Sequence, residues 1–234
     1  MTIFRIGTSG YNYFWNEGKP SQFKWYLNQG FNTVEINATF YSFPYKSWIK
    51  SWASAPDYFD FSIKVNRVIT HYAKLSEKAI DTFKKFSALF KEMEEKIAFW
   101  LFQMPPTFEF SEENLSRIKN FFSNIHQNSV IEFRDPSWWR NEVYEVLKDL
   151  DVIFCSVDAP ELPRDILETN GKIYLRLHGR EDWYNYEYST KELDEMIDTI
   201  SKMKASSCYI YLNNNHGMLP NGRYLLNRLL KKVI

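Results

Sequence analysis

The sequence predicts a closed (β/α)8 barrel, the TIM-barrel architecture, formed by a single domain over residues 1–234. Short β-like runs alternate with longer amphipathic stretches eight times, and no Pro-, Gly- or Ser-rich linker divides the chain. One unit takes about 29 residues, which suits a compact barrel. Because alternation alone does not prove that a sheet closes, an open doubly wound sheet is the alternative.

The predicted strands are short runs rich in β-branched and aromatic residues, as half-buried or buried strands require. In chain order they are residues 3–7, 33–37, 60–65, 97–103, 129–134, 152–158, 172–178 and 208–213. Pro105 and Pro106 end the fourth strand, because proline cannot donate to a strand ladder.

The predicted helices are the stretches in which apolar residues recur with helical spacing. The clearest are residues 76–95, 111–126, 139–149, 190–204 and 220–232. Ser189 and Glu192 have the spacing of a capping box, which predicts that the fourth of these helices begins beside Ser189.

Composition narrows the classes of function. The chain has 29 Lys and Arg against 29 Asp and Glu, so its net charge gives no argument for binding to nucleic acid or to a membrane. Hydrophobic residues make up 44% of the chain, which excludes a disordered protein. Aromatic residues reach 18%, and they either fill the core or stack on sugars and bases.

The termini and the cysteines predict a cytoplasmic protein that does not associate with a membrane. The first ten residues lack the basic and apolar regions of a signal peptide. No apolar run reaches the ~18 residues that a membrane helix needs. Cys155 and Cys208 lie in apolar stretches and are expected to be buried thiols in a reducing compartment.

Alternation along the strands predicts a cluster of polar side chains at one end of the barrel. In residues 33–37, Val34 and Ile36 share one face while Glu35 and Asn37 share the other. The apolar face must meet the helices, so the polar face points inward, and its residues gather toward the carboxyl ends of the strands, where barrel enzymes build their sites. The residues expected at this mouth are Glu35, Asn37, Lys64, Gln103, Glu132, Arg134, Asp158, Arg176, His178 and Asn213.

Two interpretations of this mouth are open. The acids and bases could form a purely structural network, since buried charges need partners. A functional site is favoured, because apolar residues of similar volume would stabilise the barrel equally well.

Several motifs resemble those of the YecE-like family, a domain of unknown function. They are GTSGY at 7–11, VEINATFY at 34–41, FSIKV followed by ITH at 69–71, LFQMPP at 101–106, EFRDPSWW at 132–139, LRLHG at 175–179 and LNNNHG at 212–217. The resemblance implies a (β/α)8 barrel, similar to those of endonuclease IV and the xylose isomerases, and supplies no established reaction. Two positions depart from the family pattern: Tyr11 replaces an expected Trp and Asp135 an expected His.

The first functional hypothesis is a site for an anionic small molecule such as a phosphorylated sugar or a nucleotide. Lys64, Arg134 and Arg176 would converge with the loop 7–10, whose backbone amides could cradle a phosphate. Further binding residues are expected to be Thr8, Ser9, Tyr11, Asn37, His71, Gln103, Asp158, Asn213 and Asn214. If a reaction is catalysed, Glu35 or Glu132 acts as general acid or base and His178 as proton shuttle.

Aromatic loops surround the expected mouth. Some of these side chains should pack over the rim, and the remainder could stack on a sugar or base. They include Tyr11, Tyr13, Trp15, Phe40, Tyr41, Phe43, Trp138, Trp139, Trp183, Tyr184 and Tyr186.

Two alternatives are weighed against the anion site. A metal-dependent phosphodiesterase or sugar isomerase would use Glu35, Glu132, Asp158 and His178, but the neighbouring cations compete for these carboxylates and no HExxH or CxxC spacing occurs. A non-enzymatic nucleic-acid binder is disfavoured by the zero net charge, and Lys84-Lys85 and Lys231-Lys232 are expected on solvated helix faces. The sequence therefore predicts no metal and no cofactor, and it does not decide the oligomeric state.

Overall fold

The computed structural model describes residues 2–230 and contains eight parallel strands. They are β1 (Ile3–Thr8), β2 (Thr33–Ile36), β3 (Asp60–Lys64), β4 (Ile97–Gln103), β5 (Ser129–Glu132), β6 (Val152–Asp158), β7 (Lys172–Leu177) and β8 (Ser207–Leu212). The order in the sheet is β1-β8-β7-β6-β5-β4-β3-β2, so every strand follows its sequence neighbour. This is the (β/α)8 barrel that the sequence predicts, and every predicted strand is confirmed to within two residues at each end.

Eight α-helices occur among the described residues. They are α1 (Gln22–Leu27), α2 (Ala38–Tyr41), α3 (Lys46–Ala53), α4 (Glu77–Ala88), α5 (Glu112–Ser123), α6 (Asn141–Asp149), α7 (Thr190–Lys202) and α8 (Met218–Leu229). The five predicted helices correspond to α4–α8, and the capping box between Ser189 and Glu192 is confirmed. Residues 231 and 232, predicted as the end of the last helix, lie outside the described part of the chain.

The structure departs from the prediction in three connections. Helices α1, α2 and α3 were not predicted, because they are short and two of them span less than two turns. The predicted helix 76–95 stops at Ala88, and a 3₁₀ turn over Lys91–Lys96 follows it. The connection 159–171 between β6 and β7 contains no helix.

Internal contacts divide the chain into two compact units. The terminal unit comprises residues 1–35 and 155–234, and the central unit comprises residues 36–154. In the terminal unit β8 pairs along its length with both β1 and β7. In the central unit β4 pairs with β3 and with β5.

A buried tyrosine holds the start of the terminal unit together. The Tyr26 hydroxyl accepts a hydrogen bond from the Thr8 backbone N–H at 2.9 Å and donates one to the Thr33 carbonyl at 3.0 Å. Burial raises the pKa of Tyr26, so the hydroxyl remains a donor at any physiological pH. Gly7 lies against the same carbonyl: a Cβ atom there would lie 2.3 Å from the Thr33 oxygen.

Aromatic side chains make much of the core of the central unit. Phe83 packs against Phe102 with ring centroids 5.0 Å apart and against Trp100 at 5.4 Å, mostly in edge or tilted geometry. These arrangements suit the aromatic quadrupole and add to the free energy of burial. Much of the aromatic excess in the composition therefore belongs to the core.

Cys155 and Cys208 are both fully buried, and they are not joined in a disulfide bond. Among residues 2–230, none of the helices combines the length and the apolar character that crossing a bilayer requires.

We predict that Gly7→Ala lowers the free energy of unfolding by about 1–3 kcal/mol, because the added methyl group forces the strand away from the Thr33 carbonyl. Urea denaturation followed by circular dichroism measures the change. An unchanged midpoint would show that β1 and Thr33 are not held at this distance.

Candidate functional site

The predicted site residues lie at or just beyond the carboxyl ends of their strands, in two groups. In the terminal unit they are Thr8, Ser9, Tyr11, Glu35, Asp158, Arg176, His178, Asn213 and Asn214. In the central unit they are Asn37, Lys64, His71, Gln103, Glu132 and Arg134. Each group has its own arrangement of charge.

A fully buried ion pair forms the centre of the terminal group. Arg176 Nη2 lies 2.7 Å from Glu35 Oε1, and the Tyr174 hydroxyl donates to Glu35 Oε2 at 2.9 Å. Arg176 also contacts Ser9 Oγ at 3.3 Å. Burial, followed by the charge of Glu35, raises the pKa of Tyr174 well above its ordinary value. The charges of Glu35 and Arg176 therefore compensate each other away from solvent.

The loop 7–10 does not offer its amides to a ligand, contrary to the expectation of a phosphate cradle. The Thr8 N–H donates to Tyr26, the Ser9 N–H donates to the Leu212 carbonyl at 2.8 Å, and the Gly10 N–H donates to the Glu35 carbonyl at 2.7 Å. The Ser9 donor continues the pairing of β1 with β8, and the Gly10 donor joins the end of β1 to β2 beside a bridge between Ser9 and Glu35. Backbone donors that are already satisfied have little to gain from an anion.

Arg180, which sequence reasoning missed, joins two carboxylates of the terminal unit. Its Nε lies 3.0 Å from Asp158 Oδ2, and its Nη1 lies 3.0 Å from Glu192 Oε1. Tyr188 donates to Asp158 Oδ1 at 3.1 Å, and Tyr186 donates to Glu192 at 2.7 Å. The only sequence signal for Arg180 is its position directly after the LRLHG motif.

Glu192 stays ionised in this network. Burial favours its protonated form, but hydrogen bonds from Tyr186 and Ser189 and the charge of Arg180 together lower its pKa. Arg180 is thus held between two acids, and it fixes the loop that follows β7 to the start of α7.

His178 is fully buried beneath aromatic side chains. Its ring centroid lies 5.4 Å from that of Trp183 and 5.3 Å from that of Tyr184. Asn213 Nδ2 lies 3.2 Å from His178 Nδ1. An amide nitrogen can only donate, so Nδ1 is the acceptor in this contact. The role of His178 as a proton shuttle stays a prediction.

The other predicted residues of both units make local contacts. Tyr11 packs its ring 5.3 Å from Phe23, and Gln103 donates to the Met104 carbonyl at 2.9 Å. Asn214 donates to the Tyr186 carbonyl at 2.7 Å. The buried Oδ1 atoms of Asn37 and Asn214 accept no hydrogen bond from the described residues, so they are acceptors that a ligand or water can use.

The central group contains a second acid–base pair. Arg134 Nε forms an ion pair with Glu132 Oε1 at the end of β5; the Glu132 side chain is fully buried and that of Arg134 is 11% exposed. Lys64, the last residue of β3, lies over the Phe40 ring with Nζ 4.3 Å from the centroid. Thr39 secures this arrangement by donating to the Lys64 carbonyl at 2.8 Å.

His71 lies among these cations. Its ring is half-buried, packs edge-on against Phe40 at 4.9 Å, and has Nδ1 2.9 Å from Thr70 Oγ1. Burial, then the charges of Lys64, Arg134 and Arg67, lower the pKa of His71 to about 4, against a smaller opposing effect of Glu132.

Arg67 is the second charged residue near the predicted site residues that sequence reasoning missed. It is exposed and precedes a π-helical turn over Val68–Tyr72, a kind of turn that is frequent at functional sites. We name Lys64, Arg67 and Arg134, whose charges all lower the pKa of His71, the cationic cluster. Glu132 is the carboxylate whose charge opposes these three in the electrostatics of His71.

Within residues 2–230, no three or more His, Cys, Asp or Glu side chains are grouped so that they could hold a metal ion. Glu35 and Glu132, the first two carboxylates considered as ligands, are each bound to an arginine.

We predict that Arg176→Met lowers the free energy of unfolding by about 3–5 kcal/mol, because it leaves the Glu35 carboxylate buried without its counter-ion. Adding Glu35→Gln should recover part of this loss, which a double-mutant cycle in urea measures. Arg228→Met is the matched control, since its pair with Asp194 at 3.1 Å is partly exposed and should cost less than about 1 kcal/mol. Equal losses for both arginines would contradict the importance of the buried pair.

We predict that NMR titration of the His71 imidazole gives a midpoint near 4 instead of its ordinary 6.5. Because the unfolded chain takes up this proton first, stability should fall as the pH falls from 6.5 toward 4. His71→Gln should remove this part of the pH dependence. A titration midpoint at or above 6.5 would contradict the positive environment.

Comparison with known proteins gives relatives over nearly the whole chain. The UPF0759 protein YunF of Bacillus subtilis (strain 168) is 25% identical over 241 residues, covering 85% of this chain and 83% of that protein. The crystal structure of a DUF72 family protein from Thermotoga maritima MSB8 is 26% identical with a TM-score of 0.85, covering 98% of this chain and 99% of that one. A DUF72 family protein from Enterococcus faecalis V583 is 23% identical with a TM-score of 0.81, over 98% and 96% of the two chains.

The family model described as protein of unknown function DUF72 matches residues 5–232. This family corresponds to the resemblance found in the sequence motifs, and its match leaves only a few residues at either end uncovered. The chain belongs to the DUF72 family.

Proposed function

We propose that this DUF72 protein binds an anionic small molecule, a phosphorylated sugar or a nucleotide, at the cationic cluster beside the carboxyl ends of β3 and β5. The observation that carries the proposal is that the positive charges of Lys64, Arg67 and Arg134 all act on His71, with Glu132 as the opposing charge, while Lys64 and His71 both pack against Phe40. Two of the three cations, Lys64 and Arg134, are those that the sequence assigns to anion binding.

The electrostatics of the cluster favour an anion. A single charge pair 4 Å apart gains about 4 kcal/mol at the effective dielectric constant near a protein surface. Glu132 offsets one of the three positive charges of the cluster, and a phosphate would compensate the positive charge that is left. His71 responds to the same potential, because its imidazole loses a proton more readily here than in water.

The donor types also suit a phosphate. Arginine presents a planar fork of N–H donors that matches phosphate oxygens, and lysine adds a mobile point charge. Lys64 and Arg134 are partly buried while Arg67 is exposed, so the cluster runs from the protein interior to its surface. A ligand can enter from the Arg67 side.

Binding is better supported than turnover. Glu35 and His178 are fully buried, and Glu132 is fully buried in its pair with Arg134, so none of the proposed acid–base groups is exposed. Their roles as general acid, general base and proton shuttle belong to the proposal only as a second step after binding. Neither the metal-dependent nor the nucleic-acid-binding alternative gains a supporting observation from the described residues.

We predict that millimolar phosphate raises the melting temperature, because a ligand that binds only the folded state stabilises it. Arg67→Gln should weaken the affinity at least tenfold, the usual effect of losing a charge-assisted hydrogen bond. Arg140→Gln is the matched control. Arg140 is an exposed arginine of the same unit, and like Arg67 it lies over an aromatic ring, that of Phe110 at 4.0 Å. Isothermal titration calorimetry gives the affinities.

The His71 resonance supplies a second measurement in the same experiment. A bound anion favours the imidazolium, so phosphate should raise the pKa of His71 from about 4. A His71 pKa that is unmoved by saturating phosphate would overturn the proposal, as would equal losses of affinity in Arg67→Gln and Arg140→Gln.

A further inference from the structure

We infer that the ligand of the cationic cluster is a mononucleotide whose base stacks on Tyr41 and Tyr72. This inference rests on the proposed function and deepens it, since it selects the nucleotide over the phosphorylated sugar. It depends on two exposed tyrosines, one before Lys64 and one after Arg67 in the sequence, whose rings both lie beside Arg67.

Tyr41 and Tyr72 flank the same guanidinium. Arg67 Cζ lies 6.0 Å from the centroid of the Tyr41 ring and 5.7 Å from that of the Tyr72 ring. Each tyrosine is 68% exposed, so a large part of each ring is open to solvent. An arginine between two such rings is a surface that offers cationic and aromatic contacts together.

Both tyrosines are rigidly connected to the cluster. Tyr41 follows Phe40, whose ring packs against Lys64 Nζ, against His71, and edge-on against Tyr41 at 5.1 Å. Tyr72 follows His71 and ends the π-helical turn that Arg67 precedes. Each exposed ring is therefore one residue along the chain from a side chain, Phe40 or His71, on which the cations act. A ligand that binds the cations lies close to both rings.

The two parts of the surface match the two parts of a nucleotide. The cations suit the phosphate, and the exposed parts of the Tyr41 and Tyr72 rings that Arg67 does not cover suit a base, since every base has a π-face and stacking needs no particular sequence. A phosphorylated sugar has no π-face and would leave both rings in water. Exposed tyrosines are common singly, but two of them around one arginine at a cation cluster favour an aromatic anion.

A mononucleotide fits better than a nucleic-acid strand. The chain has no net charge, so the broad electrostatic attraction that drives binding to a polyanion is absent. The cationic cluster itself provides three cations, enough for one phosphate group. The inference is limited to a nucleotide with one base.

The experiment compares adenosine 5′-monophosphate, ribose 5-phosphate and inorganic phosphate by isothermal titration calorimetry. The nucleotide should bind roughly ten- to a hundredfold more tightly than ribose 5-phosphate, the gain that stacking one base confers. Tyr41→Leu combined with Tyr72→Leu should remove this gain, so that the nucleotide binds no more tightly than ribose 5-phosphate does. Tyr41→Phe combined with Tyr72→Phe keeps the ring faces and should keep the gain.

Tyr58→Leu is the matched control. Tyr58 is 60% exposed in the same unit but precedes β3, whereas Lys64 ends that strand and Arg67 follows it, so this substitution should leave all three affinities unchanged. In NMR spectra of the wild type, the base protons of the bound nucleotide should move upfield in the ring currents of the tyrosines. Melting temperatures of all variants verify that they fold.

The outcomes separate this inference from the proposed function. If phosphate and ribose 5-phosphate bind but the nucleotide binds no more tightly than ribose 5-phosphate, the stacking inference is wrong and the anion site stands. Nucleotide binding that survives the two leucine substitutions also overturns the inference. If none of the three ligands binds, both fail. A thymidine oligonucleotide that binds more tightly than the mononucleotide at physiological salt would show that the surface serves single-stranded nucleic acid instead.

Discussion

Charge that is buried at the ends of strands must be paired, and this requirement determines the chemistry of the barrel. Glu35 is neutralised by Arg176, Glu132 by Arg134, and Asp158 by Arg180. The desolvation of an ion costs several kcal/mol, so a carboxylate at such a position is tolerated only with its partner in place. In all three pairs the arginine lies near the end of a strand or just after it. The carboxylate that it contacts belongs to a residue within a strand.

In the central unit the positive and negative charges are not balanced one to one. The proposed function depends on this imbalance. There the pairing of Glu132 with Arg134 is accompanied by Lys64 and Arg67, so positive charge is in excess around His71. A protein that needed only stability would gain nothing from such an excess, because like charges repel and the cost rises as they are desolvated. In the terminal unit, by contrast, Arg180 contacts two acids, and its charge is more than matched.

Much of the fold was predictable because strand alternation and helix amphipathicity are local properties of the sequence. All eight strands and five helices follow from them, as do the strand-end positions of Glu35, Lys64 and Glu132. Arg67 and Arg180 were missed because they lie in loops, where alternation has no meaning. The internal use of the amides in the loop 7–10 was missed for another reason: the acceptors, Tyr26 and Leu212, come from distant parts of the chain.

The connection between β6 and β7, residues 159–171, contains no helix. It is attached at a few points, among them a hydrogen bond from the Leu167 N–H to Ser156 Oγ at 2.8 Å and a short bridge between Thr169 and Lys172. Arg164 and Asp165, in the middle of this connection, are exposed. A segment inserted at Asp165 would extend into solvent and would not interrupt a helix. Insertions are therefore best tolerated in this connection.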